Sequence, residues 1–345
     1  MTRTLGILGG GQLGRMIAND ARRLGYKVAV MDSSPDCPAY GAADAFVEGA
    51  WDDLEAMQRL AKISDVLTVE NEHLPADMLA QVEASTPLFP HSGVLRTIQD
   101  RLNQRRFLAD HEIPQPAWAA VATAQEAQSA AKEIGVPGIL KSRFGGYDGK
   151  GQVRIQEGDD PASKQAELGV PGIWEAFVHF DREISILVTR DQAGNMVTYP
   201  LAENEHRGGI LHITQAPADA TDDVARQAAT IARQVAEGLG HVGTLCVELF
   251  DVQGQLLVNE IAPRVHNSGH HTLGACITSQ FENHARAVLG LPLGDPTQHT
   301  PAAMLNILGD AWNAGVPNWN PILSEPRTNL HLYGKAEARP GRKMG

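Results

Sequence analysis

The sequence predicts a protein of mixed class. An N-terminal α/β half is built on a parallel, Rossmann-like sheet; an α+β half with antiparallel pairing follows, ending in a small C-terminal β unit. Three observations lead there. Over the first 100 residues, apolar strand-like runs alternate with amphipathic helical ones, the βαβαβ rhythm of a parallel sheet. Beyond Pro116 the runs are extended and separated by glycine turns, as in hairpins. The chain has 345 residues, more than one core organises, so two or three domains are expected.

The elements follow in order. "TLGILG" is a strand, "QLGRMIANDARRLG" an amphipathic helix closed by Gly25, and "YKVAVMD" a second strand. "DDLEAMQRLAKIS" and "PADMLAQVEAST" are helices around the strand "DVLTVE", and "PLFP" begins a fourth strand. "SGVLRTIQDRLNQRRFLADHEIP" reads as one long helix ended by Pro114. After Pro116 come the helix "TAQEAQSAAKEIG", the strand "GILKSRF", the loop "GGYDGKGQ" and the returning strand "VRIQEG". The runs "GIWEAFVHFDREISILVTRD", "MVTYPLAENEHRGGILHITQAP", "GTLCVELFDVQ" and "GQLLVNEIAPRV" are strands with hairpin turns. The helices "DDVARQAATIARQVAEGLG" and "ITSQFENHARAVLG" interrupt and follow them, the second closed by Gly290. Changes of texture place boundaries at 1–100, 101–180, 181–295 and 296–345.

Composition narrows the function. A formal charge of −12 argues against nucleic acid as a bulk partner, because phosphate binding needs a basic face. A local cluster of cations and backbone N–H groups can still hold a small anion. Cys37, Cys246 and Cys276 are odd in number and lack metal-ligand spacing, so they read as free thiols in a reducing compartment. Cys246 lies in an apolar strand and reads as core. The N-terminus runs straight into a strand, and no run approaches ~18 uninterrupted apolar residues. A cytoplasmic protein without membrane contact is expected.

Several stretches carry chemistry. In "TLGILGGGQLGRM", Gly9, Gly11 and Gly14 spell G-x-G-x-x-G after a strand, and Asp32 follows roughly 20 residues on, where a nicotinamide enzyme places its ribose-binding carboxylate. A dehydrogenase is therefore one reading, although the N–H groups of such a turn suit any anion. "LKSRFGGYDGKGQ" sets Gly145, Gly146, Gly149 and Gly151 between two strands, so the backbone can approach a ligand closely. Lys141 adds a point charge for phosphate. No G-K-[ST] ends this loop and no helix follows, so it is not a Walker A loop. A hairpin centred near Gln253 and Gly254 brings Glu248 and Glu260 level. With an odd number of loop residues both face one way, roughly 5 Å apart at Cβ. Paired hard oxygens beside a phosphate loop fit Mg²⁺ shared with a nucleotide. Just beyond them, Arg264, His266 and Asn267 can grip a small anion and handle a proton. His270 and His271 are adjacent on a loop, a poor arrangement for zinc.

Together these pieces resemble the ATP-grasp superfamily. Within it, "GGGQLGRM", "GGYDGKGQ", "NEIAPRVHNSGH" and "RPGRK", in that order, resemble the signatures of the 5-(carboxyamino)imidazole ribonucleotide synthases. The resemblance covers nearly the whole chain and implies an ATP-grasp fold. Residues 1–100 would be the pre-ATP-grasp domain, 101–180 a linker helix and lid, 181–295 a central domain with the metal site, and 296–345 the small β domain. It implies that ATP lies between lid and central domain. Arg101 and Lys141 would meet its phosphates under the loop Gly146, Tyr147, Asp148, Gly149, Lys150, Gly151 and Gln152. Glu175, Ala176, Phe177 and Val178 would read the adenine edge, and Glu183 and His206 would contact the ribose side. Asn259 would lie beside the Mg²⁺ ligands Glu248 and Glu260, with Mn²⁺ as an alternative ion. Many superfamily members carry Glu-x-Asn here; this chain has Ala262, as the resembled subfamily does.

The reaction implied has two stages: bicarbonate and ATP give carboxyphosphate, which carboxylates the exocyclic amine of aminoimidazole ribonucleotide. Arg264, His266 and Asn267 would hold bicarbonate and its activated form. Gln12, Leu13, Glu70, Glu72, Tyr147 and Asp148 would face the ribonucleotide, and Lys335 and Arg342 its phosphate. The resemblance also implies a homodimer and leaves no role for NAD or biotin. The alternatives are a formate-dependent glycinamide ribonucleotide transformylase or biotin carboxylase type of ATP-grasp ligase and, from another class, the dehydrogenase.

Overall fold

Residues 2–146 and 151–345 are described by a computed structural model, which arranges them on three sheets. The first comprises β1 (Thr4–Leu8), β2 (Lys27–Asp32), β3 (Ala45–Glu48), β4 (Val66–Val69) and β5 (Leu88–Phe89), all parallel in the order β3-β2-β1-β4-β5. Both faces are covered. Leu5, Ile7, Val28 and Val30 pack against Ile17, Ala18 and Ala21 of the helix Gln12–Arg23. Leu8, Met31, Leu67 and Val69 meet the helices Leu54–Lys62 and Ala76–Glu83 on the other side. Continuous apolar runs are what such a two-sided sheet requires. Strand β3 was not anticipated: "AFVE" is a short edge strand buried only at Val47, too little for a period to show.

The single long helix expected after residue 91 is two helices, Ser92–Gln99 and Arg101–Asp110. Asp100 separates them. Its backbone is extended (φ −102°, ψ 110°), and its carboxylate accepts the Leu102 N–H (3.0 Å) and Arg143 Nε–H (2.9 Å). A buried aspartate with these partners caps a new helix rather than continuing the old one. Arg101 consequently starts the second helix.

The second sheet is antiparallel, β6 (Trp118–Val121), β7 (Gly138–Ser142), β8 (Gln152–Ile155) and β9 (Gly172–Ala176) in the order β6-β9-β7-β8. It has a small core of Val121, Leu140, Ile155 and Trp174 under the helix Ala124–Glu133, whose Thr123 and Glu126 form a capping box.

The third sheet holds β10 (Arg182–Arg190), β11 (Met196–Thr198), β12 (Ala202–Arg207), β13 (Ile210–Ala216), β14 (Gly243–Val252), β15 (Gln255–Ala262) and β16 (Ala302–Leu305). The order is β15-β14-β10-β12-β13-β16, with β11 paired to β10. The run "GIWEAFVHFDREISILVTRD" is thus divided between two sheets, and the tail strand β16 edges the central one. One face of this sheet is apolar: Ile184, Ile186, Val188, Leu245, Val247 and Leu249 pack under the helix Asp222–Gly238. The alternating residues Ser185, Glu248 and Cys246 point the other way. The helix Gln280–Leu289, buried almost throughout, joins this sheet to the first through Phe281, Ala285 and Val288. Among the described residues no helix is long and apolar enough to cross a membrane.

Candidate active site

The hairpin β14–β15 turns on two residues, Gln253 (φ 53°) and Gly254 (φ 85°), both in the left-handed region that such tight turns demand. A two-residue turn alone would set Glu248 opposite Asn259. Instead the register shifts there: Leu249 pairs with Val258 but Glu248 pairs with Glu260. Asn259 is the extra residue of a β-bulge. Leu256 and Val258 before it and Ile261 after it all face the apolar core, whereas Asn259, Glu260 and Ala262 line the cleft. The odd residue that brings the two glutamates to one face is therefore in the strand rather than in the loop.

A buried charge cluster holds that bulge. Arg105, 1% exposed, donates to Glu175 Oε1 (2.7 Å) and to the carbonyls of Val258 (2.9 Å) and Asn259 (2.8 Å). Lys141 Nζ lies 2.6 Å from Glu175 Oε2 and 3.5 Å from Asn259 Oδ1. Burial raises the Glu175 carboxyl, but Arg105 and Lys141 outweigh it and hold the group at about 2. Burial also pulls the Lys141 ammonium down against the pull of Glu175. In the segment 175–178, the Ala176 and Phe177 N–H groups donate to the carbonyls of Ala117 and Pro137. The side chains of Phe177, Phe180 and Phe250 give one end of the cleft apolar walls, the last two stacked at 4.7 Å. Arg101, at the helix start that Asp100 creates, reaches Gly146 O (3.1 Å) and Glu260 Oε1 (3.7 Å). Gln152 lines the same wall and Gly151 closes the loop through Ser142 N–H. Tyr147, Asp148, Gly149 and Lys150 lie outside the described residues.

Across the cleft Glu183 is ion-paired with His206; burial lowers that imidazole, and the Glu183 contact more than restores it, leaving it raised. The Glu248 carboxyl is pushed up to about 7 by burial and by the neighbouring Glu260 charge. His266 Nε2 stands 3.4 Å from Glu248 Oε1, and burial holds this imidazole well below its ordinary value. Asn267 pairs its amide with that of Asn306 (3.1 and 2.6 Å).

A second lobe of about 580 Å³ opens beside the first, lined by Gln12, Leu13, Asp32, Cys37, Glu70, Lys335 and Arg342. Gln12, Leu13 and Arg264 line both lobes. Arg264 forks onto Glu72 (Nη2 to Oε1 2.7 Å). Burial raises the Glu72 carboxyl, and the guanidinium overrides it to hold the group at about 2. Lys335 Nζ donates to Lys343 O (2.7 Å), and Arg342 to Glu337 O (2.7 Å).

The glycine turn differs from expectation. Its N–H groups are already answered from within: Gly10 by Asp32 Oδ2 (2.7 Å), Gly14 by Glu70 Oε2 (3.0 Å), and Gly11 also by Glu70. A Cβ at Gly11 would come within 2.4 Å of Glu70 Oε1, so the glycines make room for this carboxylate. Glu70 thus sits in the wall of the lobe while spending its oxygens on the loop, and Asp32 does the same from the end of β2.

Three family models match consecutive stretches: a ribonucleotide synthetase preATP-grasp domain over residues 1–99, an ATP-grasp domain over 106–281, and a phosphoribosylaminoimidazole carboxylase C-terminal domain over 302–345. The chain is 42% identical over 346 residues to N5-carboxyaminoimidazole ribonucleotide synthase of Brucella melitensis, covering 99% of this chain and 94% of that one. The chain belongs to this synthase family. Its fold is similar to the Staphylococcus aureus synthetase complexed with ADP (TM-score 0.94, 36% identity, 100% and 92% of the two chains). It is also similar to the Aspergillus clavatus synthase in complex with ADP and 5-aminoimidazole ribonucleotide (TM-score 0.91, 33% identity, 100% and 92%).

As in the synthase family at large, the fold is ATP-grasp with an N-terminal parallel sheet. The donor set fits a nucleotide-borne Mg²⁺. Among the described residues no group of three or more acidic, His or Cys side chains could hold a metal by itself. Two carboxylates facing each other, one raised by burial and by the other's charge, suit an ion whose remaining ligands are phosphate oxygens and water. Sequence reasoning missed Arg105, the residue that fixes the bulge. Its one signal is its place on the apolar stripe of Leu102 and Leu108, where a charge needs a buried partner.

Proposed function

We propose that two joined lobes carry out the family's reaction in sequence, with ATP and bicarbonate in the larger and the ribonucleotide in the smaller. The chain is an ATP-grasp ligase that carboxylates 5-aminoimidazole ribonucleotide for purine biosynthesis. The observation that carries the two-lobe reading is Arg264: clamped by Glu72, it lines both lobes at once.

In this reading an oxygen of bicarbonate attacks the γ-phosphorus of ATP, ADP leaves, and carboxyphosphate forms. The exocyclic nitrogen of the ribonucleotide then attacks the carboxyl carbon, or CO₂ released from it, and phosphate departs. Lys141, Arg101 and Asn259 stabilise the phosphoryl groups, and Glu175–Val178 frame the adenine beside Phe177. Glu183 and His206 take the ribose side. Glu248 and Glu260 would hold Mg²⁺ (or Mn²⁺), which supplies positive charge against the transferring phosphoryl group. Arg264, His266 and Asn267 bind bicarbonate and carboxyphosphate, and a loop with Gly146, Gly151 and Gln152 at its ends keeps water from them. Lys335 and Arg342 receive the ribonucleotide phosphate, with Gln12, Leu13, Glu70 and Glu72 around the rest. A cytoplasmic homodimer completes the proposal.

The test is ADP release with ATP, Mg²⁺, bicarbonate and ribonucleotide together and with each omitted. Turnover that requires bicarbonate supports the reading. Turnover indifferent to bicarbonate, or driven by formate instead, overturns it.

A further inference from the structure

Behind His266 lies a line of buried polar side chains that no part of the reaction uses. Thr214 Oγ1 donates to Asn204 Oδ1 (2.8 Å), and Asn204 Nδ2 donates to Ser185 Oγ (2.8 Å). Ser185 Oγ lies 2.8 Å from Ser268 Oγ, which lies 2.9 Å from His266 Nδ1. The four residues are between 0% and 8% exposed, so water does not compete for these bonds. The line starts on β13, crosses β12 and β10, and leaves the sheet at Ser268. Ser185 is the register partner of Glu248, so the line and the carboxylate share one face.

The line has a direction. An amide carbonyl only accepts and an amide NH₂ only donates, so Asn204 takes a hydrogen from Thr214 and gives one to Ser185. That bond occupies one of the hydroxyl's two lone pairs, while Ser185 Oγ is set as donor to Ser268. Ser185 then gives its hydrogen to Ser268, and Ser268 has one left for Nδ1. The far end agrees with this direction: the backbone N–H of Ser268, which can only donate, reaches the same nitrogen at 3.3 Å, a longer and weaker contact than the hydroxyl's 2.9 Å. Nδ1 is therefore an acceptor. Nε2, on the other side of the ring, opens into the cleft 3.4 Å from Glu248, so the one proton of a neutral ring that Nδ1 does not carry falls on the cleft side. The ring's place is secured by Gln280, fully buried, whose amide accepts the His266 N–H (2.9 Å) and donates to its carbonyl (2.7 Å).

We infer that Thr214, Asn204, Ser185 and Ser268 form a one-way hydrogen-bond relay. It holds His266 neutral with its proton on Nε2, so that the ring meets its substrate as a hydrogen-bond donor and not as a base. The chemistry this serves is an anionic oxygen of bicarbonate or of carboxyphosphate, stabilised by a fixed donor as in an oxyanion site. The identity of that anion rests on the proposed carboxylation; the position of the proton does not. Ser185, Asn204 and Ser268 are positioning residues, acting through the imidazole and touching no substrate.

Nitrogen NMR of the full chain, labelled with ¹⁵N-histidine and held near neutral pH, reads the tautomer directly. The H266Q variant identifies the signals. The expected result is a pyridine-type Nδ1 and a pyrrole-type Nε2. A protonated Nδ1, alone or with Nε2, overturns the inference. In S268A the hydroxyl donor is gone. The two ring signals should then move toward each other as both tautomers populate, and kcat should fall roughly tenfold, the size of one misplaced hydrogen bond. KM for ATP should stay within about twofold, since the nucleotide contacts lie elsewhere. An unchanged His266 spectrum with unchanged kcat overturns the relay, and should S268A not fold, the spectrum of the unaltered chain decides alone. Bicarbonate-independent ADP release would remove the carboxylation reading while leaving the tautomer result standing.

Discussion

Replacing Arg105 with Leu removes a guanidinium at the floor of the cleft that touches both strand β9 and the bulge of β15. Three bonds disappear: one to Glu175 and two to the carbonyls of Val258 and Asn259. Glu175 is 3% exposed and sits at about 2 against an ordinary 4.5, so its surroundings favour the charged form by about 3 kcal/mol. Lys141 keeps part of that, but an orphaned buried carbonyl costs about 1–3 kcal/mol and a broken buried pair about 3–5. The expected loss is about 4 kcal/mol in the transition that exposes the core of the β6–β9 sheet. Urea unfolding followed by tryptophan fluorescence measures it, because Trp174 is fully buried in that core. The Glu175 carboxyl is depressed on folding. Its contribution is therefore complete above about pH 4.5 and disappears as pH falls toward 2, and the deficit of Arg105→Leu should narrow over that window. Arg105→Leu and Glu175→Gln together should also cost less than the sum of the two. A loss below about 1 kcal/mol, or strict additivity, would refute the view that this pair carries the contact between β9 and the bulge.

Glu260→Gln should cut turnover at least about a hundredfold while leaving the circular-dichroism spectrum and thermal midpoint unchanged, since its side chain is 44% exposed; activity within tenfold of the parent argues against a metal role. Lys335→Ala should raise KM for the ribonucleotide about tenfold and leave KM for ATP alone, and equal effects on both would detach Lys335 from the second lobe. His241 and His284 are fully buried, and burial lowers them from 6.5 to about 3 and about 4. Both are neutral when folded, so below pH 6.5 the unfolded chain gains the protons first. Each should then remove about 1.4 kcal/mol of stability per pH unit, or about 4 kcal/mol for the two by pH 5. Denaturation curves that superimpose at pH 6.5 and pH 5 would contradict this.

The parts of the fold legible in the sequence are those where apolar period decides. The two-sided parallel strands show as unbroken runs such as "KVAVMD", and the helix Asp222–Gly238 as an amphipathic stripe that matches the face offered by Ile184, Ile186 and Val188. Where one polar group overrides the period, the reading failed. Asp100 sits inside an uninterrupted helical pattern, and only its tertiary partner Arg143 reveals it as a cap. Asn259 has no sign in "LLVNEIA" that it is supernumerary, although the core positions change parity across it. Glu70 and Asp32 end strands beside a glycine loop, and nothing in the sequence signals the hydrogen bonds that their oxygens accept from that loop. The facing glutamates were legible because their numbers nearly mirror about the turn. Arg105, Gln280 and the Ser185 line were not, since each acts across elements far apart in the chain.

The bulge at Asn259 makes the hairpin a counting device. Losing one residue between Gly254 and Glu260 would absorb the bulge and leave Glu260 directly opposite Glu248 in an unbroken ladder, both still on the cleft face. Losing two would slip the register by one and turn Glu260 toward the space now filled by Ile261, among aliphatic side chains that have no use for a charge. One deletion here should therefore be better tolerated than two, an order that random deletion libraries would expose without any knowledge of the substrate.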